Sequence, residues 1–143
     1  MERLRRWLLW VLALGLLGTG AELLLLEHYE DAWQWAPLLL IAVAIAVVAW
    51  HAKRKDAASL RALRIVMGLF LAAGLVGVGL HFRGAAEFQL EIDPAMGTWE
   101  LVKRAMHVKA PPALAPGVML QLGLIGLAYA FSNTREKKGS ETS

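Results

Sequence analysis

The chain has 143 residues, 57% of them hydrophobic, with a mean hydropathy of +0.48. That exceeds what one small soluble domain can hide, because such domains carry about 45–50% apolar residues and bury the smallest share of their area. The lack of cysteine excludes disulfides, thiolate nucleophiles and cysteine metal sites, and the net charge of +3 takes its meaning from where the basic residues fall.

The first apolar run, WLLWVLALGLLGTGAELLLL, predicts a membrane helix over 7–27, since a span needs roughly 20 mainly apolar residues. Its Arg-rich start and the small residues GTGA resemble a secretory leader cleaved after Ala21. The run continues through LLLL, too long for a leader's apolar region, so the segment is expected to be retained. Glu22 is the charge inside this span. Gly15 and Gly18 precede it by seven and four residues and share its helix face. Small residues let membrane helices approach closely, so Glu22 is expected to face other helices and to hydrogen-bond there.

The second span, 33–52, reaches full length only if residues 31–36 are helical, with Pro37 tolerated in the first turns. Ala42, Ala46 and Ala49 are read as its packing surface. The third, 62–82, carries Gly74 and Gly77 on one face with Phe70 and His81. An external loop, 83–113, follows. Within it EFQLEID alternates apolar and polar residues, the period of a half-buried strand. TWELVKRAMHV predicts a short amphipathic helix in the outer interface, capped by Thr98, with Trp99, Val102 and Met106 on its apolar face. APPALAP stiffens the approach to the fourth span, 114–132, where Gly117, Gln121, Gly123 and Gly126 lie. A tail, 133–143, ends the chain.

Charge orients these spans. Arg3, Arg5 and Arg6, then Lys53, Arg54, Lys55, Arg61 and Arg64, then Arg135, Lys137 and Lys138 place 11 of the 15 basic residues on one side. The positive-inside rule makes that side cytoplasmic, with both termini on it. Trp7, Trp10 and Trp50 at one set of span ends, and Trp33, Trp35 and Trp99 at the other, are read as headgroup anchors. The expected fold is an all-α membrane protein, a four-transmembrane-helix bundle whose external loop carries an interfacial amphipathic helix. Its expected location is a bacterial plasma membrane, its surroundings lipid, and nucleic acid is not an expected partner.

No phosphate loop, nucleophile elbow or HExxH motif occurs, so no enzymatic role and no required cofactor are predicted. Gln121 enters from the outer side and is the expected partner of Glu22. His28, His81 and His107, with Glu27, map to the outer side and could hold zinc or copper; two of the imidazoles could instead ligate a haem iron. A glutamate inside the first of four helices resembles the small multidrug resistance transporters, whose loops are far shorter than 83–113. That resemblance implies a proton- or cation-coupled carrier using Glu22. The reading favoured by the close-packing stripes and the sparse polar groups is a non-catalytic accessory or assembly subunit, joined to other membrane subunits or to copies of itself.

Overall fold

The computed structural model describes residues 2–30, 32–107 and 114–140, of which 114–115 and 133–140 by backbone alone. Asp31, the segment 108–113 that holds most of APPALAP, and the side chains of Arg135, Lys137 and Lys138 lie outside the described residues. The described residues form helices α1 (Glu2–Leu25), α2 (Trp35–Arg54), α3 (Ala57–Ile92), α4 (Thr98–Met106) and α5 (Leu114–Ser140), with a 3-10 turn, Ala32–Gln34, before α2. Among the described residues there is no strand. α1, α2 with its 3-10 turn, and α3 are long and apolar enough to cross a membrane; α5 holds a shorter apolar stretch, Pro116–Ser132.

α1, α2, α3 and α5 pack as a ring in which α1 touches α2 and α5, and α3 touches α2 and α5. Apolar positions recur every three or four residues along each helix, as one buried face requires. They are Leu12, Leu16 and Leu23 on α1, Ile41, Ala44 and Val48 on α2, Leu63, Met67 and Phe70 on α3, and Met119 and Leu122 on α5. The α3–α5 seam is the most extensive, and glycine makes it so. A Cβ at Gly74 would stand 2.9 Å from the Pro116 carbonyl oxygen, and one at Gly123 3.0 Å from that of Met67.

Three expectations change. EFQLEID is helical: α3 runs unbroken to Ile92, about 54 Å at 1.5 Å per residue. Alternation over so few residues is overridden when no breaker interrupts a helix already formed. Arg83 and Glu87 pair at 2.7 Å one turn apart, and the first stop is Asp93, held extended at φ −141° by the proline that follows. The 83–113 loop is thus largely a helical hairpin in which α4 folds back on α3. The helix expected at 98–108 forms, but Gly97 is its N-cap residue and Thr98 its first residue. Ala105 is its buried residue, while Trp99 and Met106 are exposed. Finally, Ala42, Ala46 and Ala49 are exposed and Ala44 is the buried alanine, because the neighbours of α2 lie on the opposite face.

Two residues join α2 to α3. Lys55 stands in the left-handed region at φ 49°, which costs a side-chain-bearing residue about 1–2 kcal/mol. Lys55→Gly is expected to raise stability by about 0.5–1 kcal/mol after its own entropy cost; an unchanged or lower melting temperature in detergent would contradict this. Asp56 caps α3 by accepting the Ser59 N–H at 2.8 Å. That bond, the Ser59 side chain and Arg54 hold the Asp56 carboxyl below its ordinary value. A carboxyl lowered on folding adds stability above its unfolded pKa, and this is lost as pH falls through the lowered folded one.

Candidate functional site

Where α2 ends and α3 begins, all four helices of the ring meet in one buried polar node. His51, 0% exposed, occupies the last turn of α2. Its Nδ1 lies 2.8 Å from Ser59 Oγ on α3, and its Nε2 lies 3.1 Å from the Tyr129 hydroxyl on α5. The Arg5 guanidinium of α1 sits over the Tyr129 ring at 5.4 Å. Arg64, a turn and a half beyond Ser59, donates to the Ala130 carbonyl at 3.0 Å and covers the Phe131 ring at 5.2 Å. The backbones of α2 and α5 face each other across the ring without touching, so the imidazole bridges the diagonal.

Acceptor chemistry sets the direction of every proton. The Asp56 carbonyl can only accept, so the Ser59 hydroxyl, 3.0 Å away, donates to it. Ser59 Oγ must then accept from His51 Nδ1–H, which leaves Nε2 of the neutral ring to accept from Tyr129 O–H. Every polar atom of the relay is used. A serine beside a histidine can suggest a nucleophile, but here the hydroxyl proton points away from the imidazole. Ser59 is also fully buried, out of reach of substrate. The node is a clasp, since satisfied buried networks rigidify and specify a core.

At the opposite end of the ring, His28 and His81 come together as expected, with ring centroids 6.4 Å apart and planes 19° from parallel. The end of α1 places His28. Glu27 adopts φ 53°, His28 N–H bonds back to the Leu23 carbonyl and Glu27 N–H to that of Leu24; this paired reversal turns the chain toward α3. Burial, and then the neighbouring His81, lower the His28 pKa, favouring the neutral imidazole that metals bind. His107 does not join them: it is exposed and its Nδ1 bonds the Lys103 carbonyl at 2.8 Å. Glu27 does not complete a set either, and no group of three metal-ligating side chains occurs among the described residues.

Glu22 is exposed rather than turned into the ring, and so is Gln121. The antiparallel register explains why the two do not pair. A Cβ on Gly15 would meet Leu122, and one on Gly126 would meet Leu12, so Gln121 stands about 8–9 Å along the axis from the level of Glu22. Of the glycines predicted to pack, Gly15, Gly74, Gly77, Gly123 and Gly126 do, against Leu122, Leu120, Pro116, Leu71 and Met67. Gly18 and Gly117 face open space, and Gly20, not anticipated, meets Ile41. Trp7, Trp10, Trp33, Trp35, Trp50 and Trp99 are all exposed, from 41% at Trp50 to 83% at Trp33.

Compared with known proteins, the chain matches no family model, no curated protein and no solved structure.

The node was missed in sequence because its members are far apart, His51 and Tyr129 by 78 positions. The available signal was local: a histidine closing an apolar helix, the capping spacing of Asp56 and Ser59, and a tyrosine late in the last apolar run.

Proposed function

We propose that the protein is a four-span integral membrane protein, the fourth span being Pro116–Ser132, that serves as a non-catalytic accessory or assembly subunit. It sits in a bacterial plasma membrane with residues 54–56 and both termini in the cytoplasm. The observation that supports this reading is the outer half of α1. Gly18, Ala21, Glu22 and Leu25 form one exposed stripe, and nothing stands within 4 Å of a Cβ at Gly18. Lipid covers leucine well, but it offers a carboxyl no fixed hydrogen-bond donor, and a polar group left unpaired beside acyl chains is costly. A second membrane helix with a donor satisfies Glu22, and Gly18 gives it room. Of the buried polar residues, His51 and Ser59 are meanwhile consumed by the clasp.

The test is purification in mild detergent after crosslinking. A stoichiometric membrane partner is expected, retained by Glu22→Gln and lost, by tenfold or more, in Glu22→Leu and Gly18→Leu. A homodimer meeting through Glu22 would instead favour the carrier reading. A monomer with both variants unaltered would remove either one. Arg54→Cys should label only from the cytoplasmic face and Leu90→Cys only from the other; the reverse pattern would overturn the orientation.

A second reading has its own observation, the 6.4 Å histidine pair. His28 and His81 would hold one transition-metal ion, with copper preferred because affinity for nitrogen donors peaks there along the divalent series. Equilibrium dialysis should find about one ion per chain, with affinity falling tenfold or more in His28→Asn or His81→Asn and unchanged in His107→Asn. Undiminished binding by the His28→Asn/His81→Asn variant would remove it.

A further inference from the structure

The basic end of α1 carries a second unpartnered feature. Two grooves flank Trp10. One, of about 260 Å³, runs between α1 and α2 over Leu9, Ala13, Ile45 and Ala49. The other, of about 640 Å³, lies along the open side of α1 over Trp7, Val11 and Leu14. Arg6 and Trp10 line both, and Arg3 lines the second. Arg54 pairs with Asp56, Arg83 with Glu87, and Lys103 and Arg104 with Glu100, whereas Lys53, Lys55 and Arg61 have no carboxylate partner among the described residues but line neither groove. Among the described residues Arg3 and Arg6 have no such partner.

We propose that this face is a binding site for one anionic diacyl phospholipid, its phosphate between Arg3 and Arg6 and its two acyl chains in the two grooves on either side of Trp10. The shape requires two apolar tails leaving one head, because two separate apolar grooves converge on a shared guanidinium. The charge requires an anion, because two arginines one helical turn apart repel until something neutralises them. Trp7 and Trp10 fit the headgroup level, where amphipathic rings are favoured. Basic pockets between membrane helices on the cytoplasmic side recognise headgroups in this way. The site occupies the basic half of α1 and leaves the Gly18–Glu22 half open to another helix.

The inference rests on the membrane reading, and the experiment separates the two failures. Release of the chain from membranes by alkaline buffer without detergent would end the membrane reading itself. For chain that needs detergent, native mass spectrometry in mixed micelles of detergent with phosphatidylglycerol or phosphatidylcholine reads the lipid site. One phosphatidylglycerol should be retained in preference to phosphatidylcholine. Arg3→Gln/Arg6→Gln should lower that retention roughly twenty-fivefold, about fivefold for each arginine, and Trp10→Ala should lower it without changing the headgroup preference. Lys53→Gln/Arg54→Gln, equally basic but off the grooves, should leave it unchanged. Equal retention of the two lipids, full retention by Arg3→Gln/Arg6→Gln, or an equal loss in Lys53→Gln/Arg54→Gln would overturn the site.

Discussion

His51→Ala is expected to cost the fold about 3 kcal/mol, the largest loss from any single truncation here. The substitution empties a fully buried volume, and cavities of this kind alone cost about 2 kcal/mol or more. It also strands two hydroxyls, those of Ser59 and Tyr129, each an unsatisfied buried group worth about 1–3 kcal/mol, partly relieved if Ser59 keeps its bond to the Asp56 carbonyl. Tyr129→Phe removes one donor and leaves Nε2 unpaired, so about 1–2 kcal/mol is expected. Because both changes break the same bond, the double variant should lose less than the two single losses combined, by about 1 kcal/mol. Thermal unfolding in detergent measures all of these. Additive losses, or a neutral His51→Ala, would mean that the imidazole does not bridge α2 to α5.

Gly74→Leu and Gly123→Leu should disrupt the α3–α5 seam, each by about 3 kcal/mol or more, at the upper end for overpacked cores. The reason is what each Cβ would strike. A side chain can rotate away, but the Pro116 carbonyl at 2.9 Å from Gly74 and the Met67 carbonyl at 3.0 Å from Gly123 are backbone, so relief requires the helices to separate. Gly126 is more forgiving, since its obstacle is the flexible Met67 side chain. The controls are Gly117→Leu and Gly68→Leu, positions whose Cβ meets nothing and where higher helix propensity should make the change neutral or slightly favourable. Equal losses at Gly74 and Gly117 would show that helix propensity, not close approach, governs these positions.

The helical character of the long apolar runs was legible in the chain itself, although α3 begins five residues before and ends ten residues after the span expected at 62–82. Long apolar runs leave the backbone no hydrogen-bond partner but itself, and that makes helix the outcome whatever the neighbours. Several packing glycines followed from the same local physics. Which way each helix face turns was not legible. Glu22 and Gly18 share a stripe with Gly15 in sequence, yet only Gly15 meets a neighbour. An apolar helix is apolar on all sides, so its own pattern does not say where its neighbour stands. The strand expected at 87–93 became helix because no proline interrupts α3 before Asp93; its apolar residues Phe88, Leu90 and Ile92 stay exposed. The clasp of His51, Ser59 and Tyr129 was decided only in three dimensions. Its hydrogen bonds join residues from separate helices, and the register of α5 against α3, set by glycine contacts, determines whether the Tyr129 hydroxyl arrives 3.1 Å from the imidazole or a full turn away.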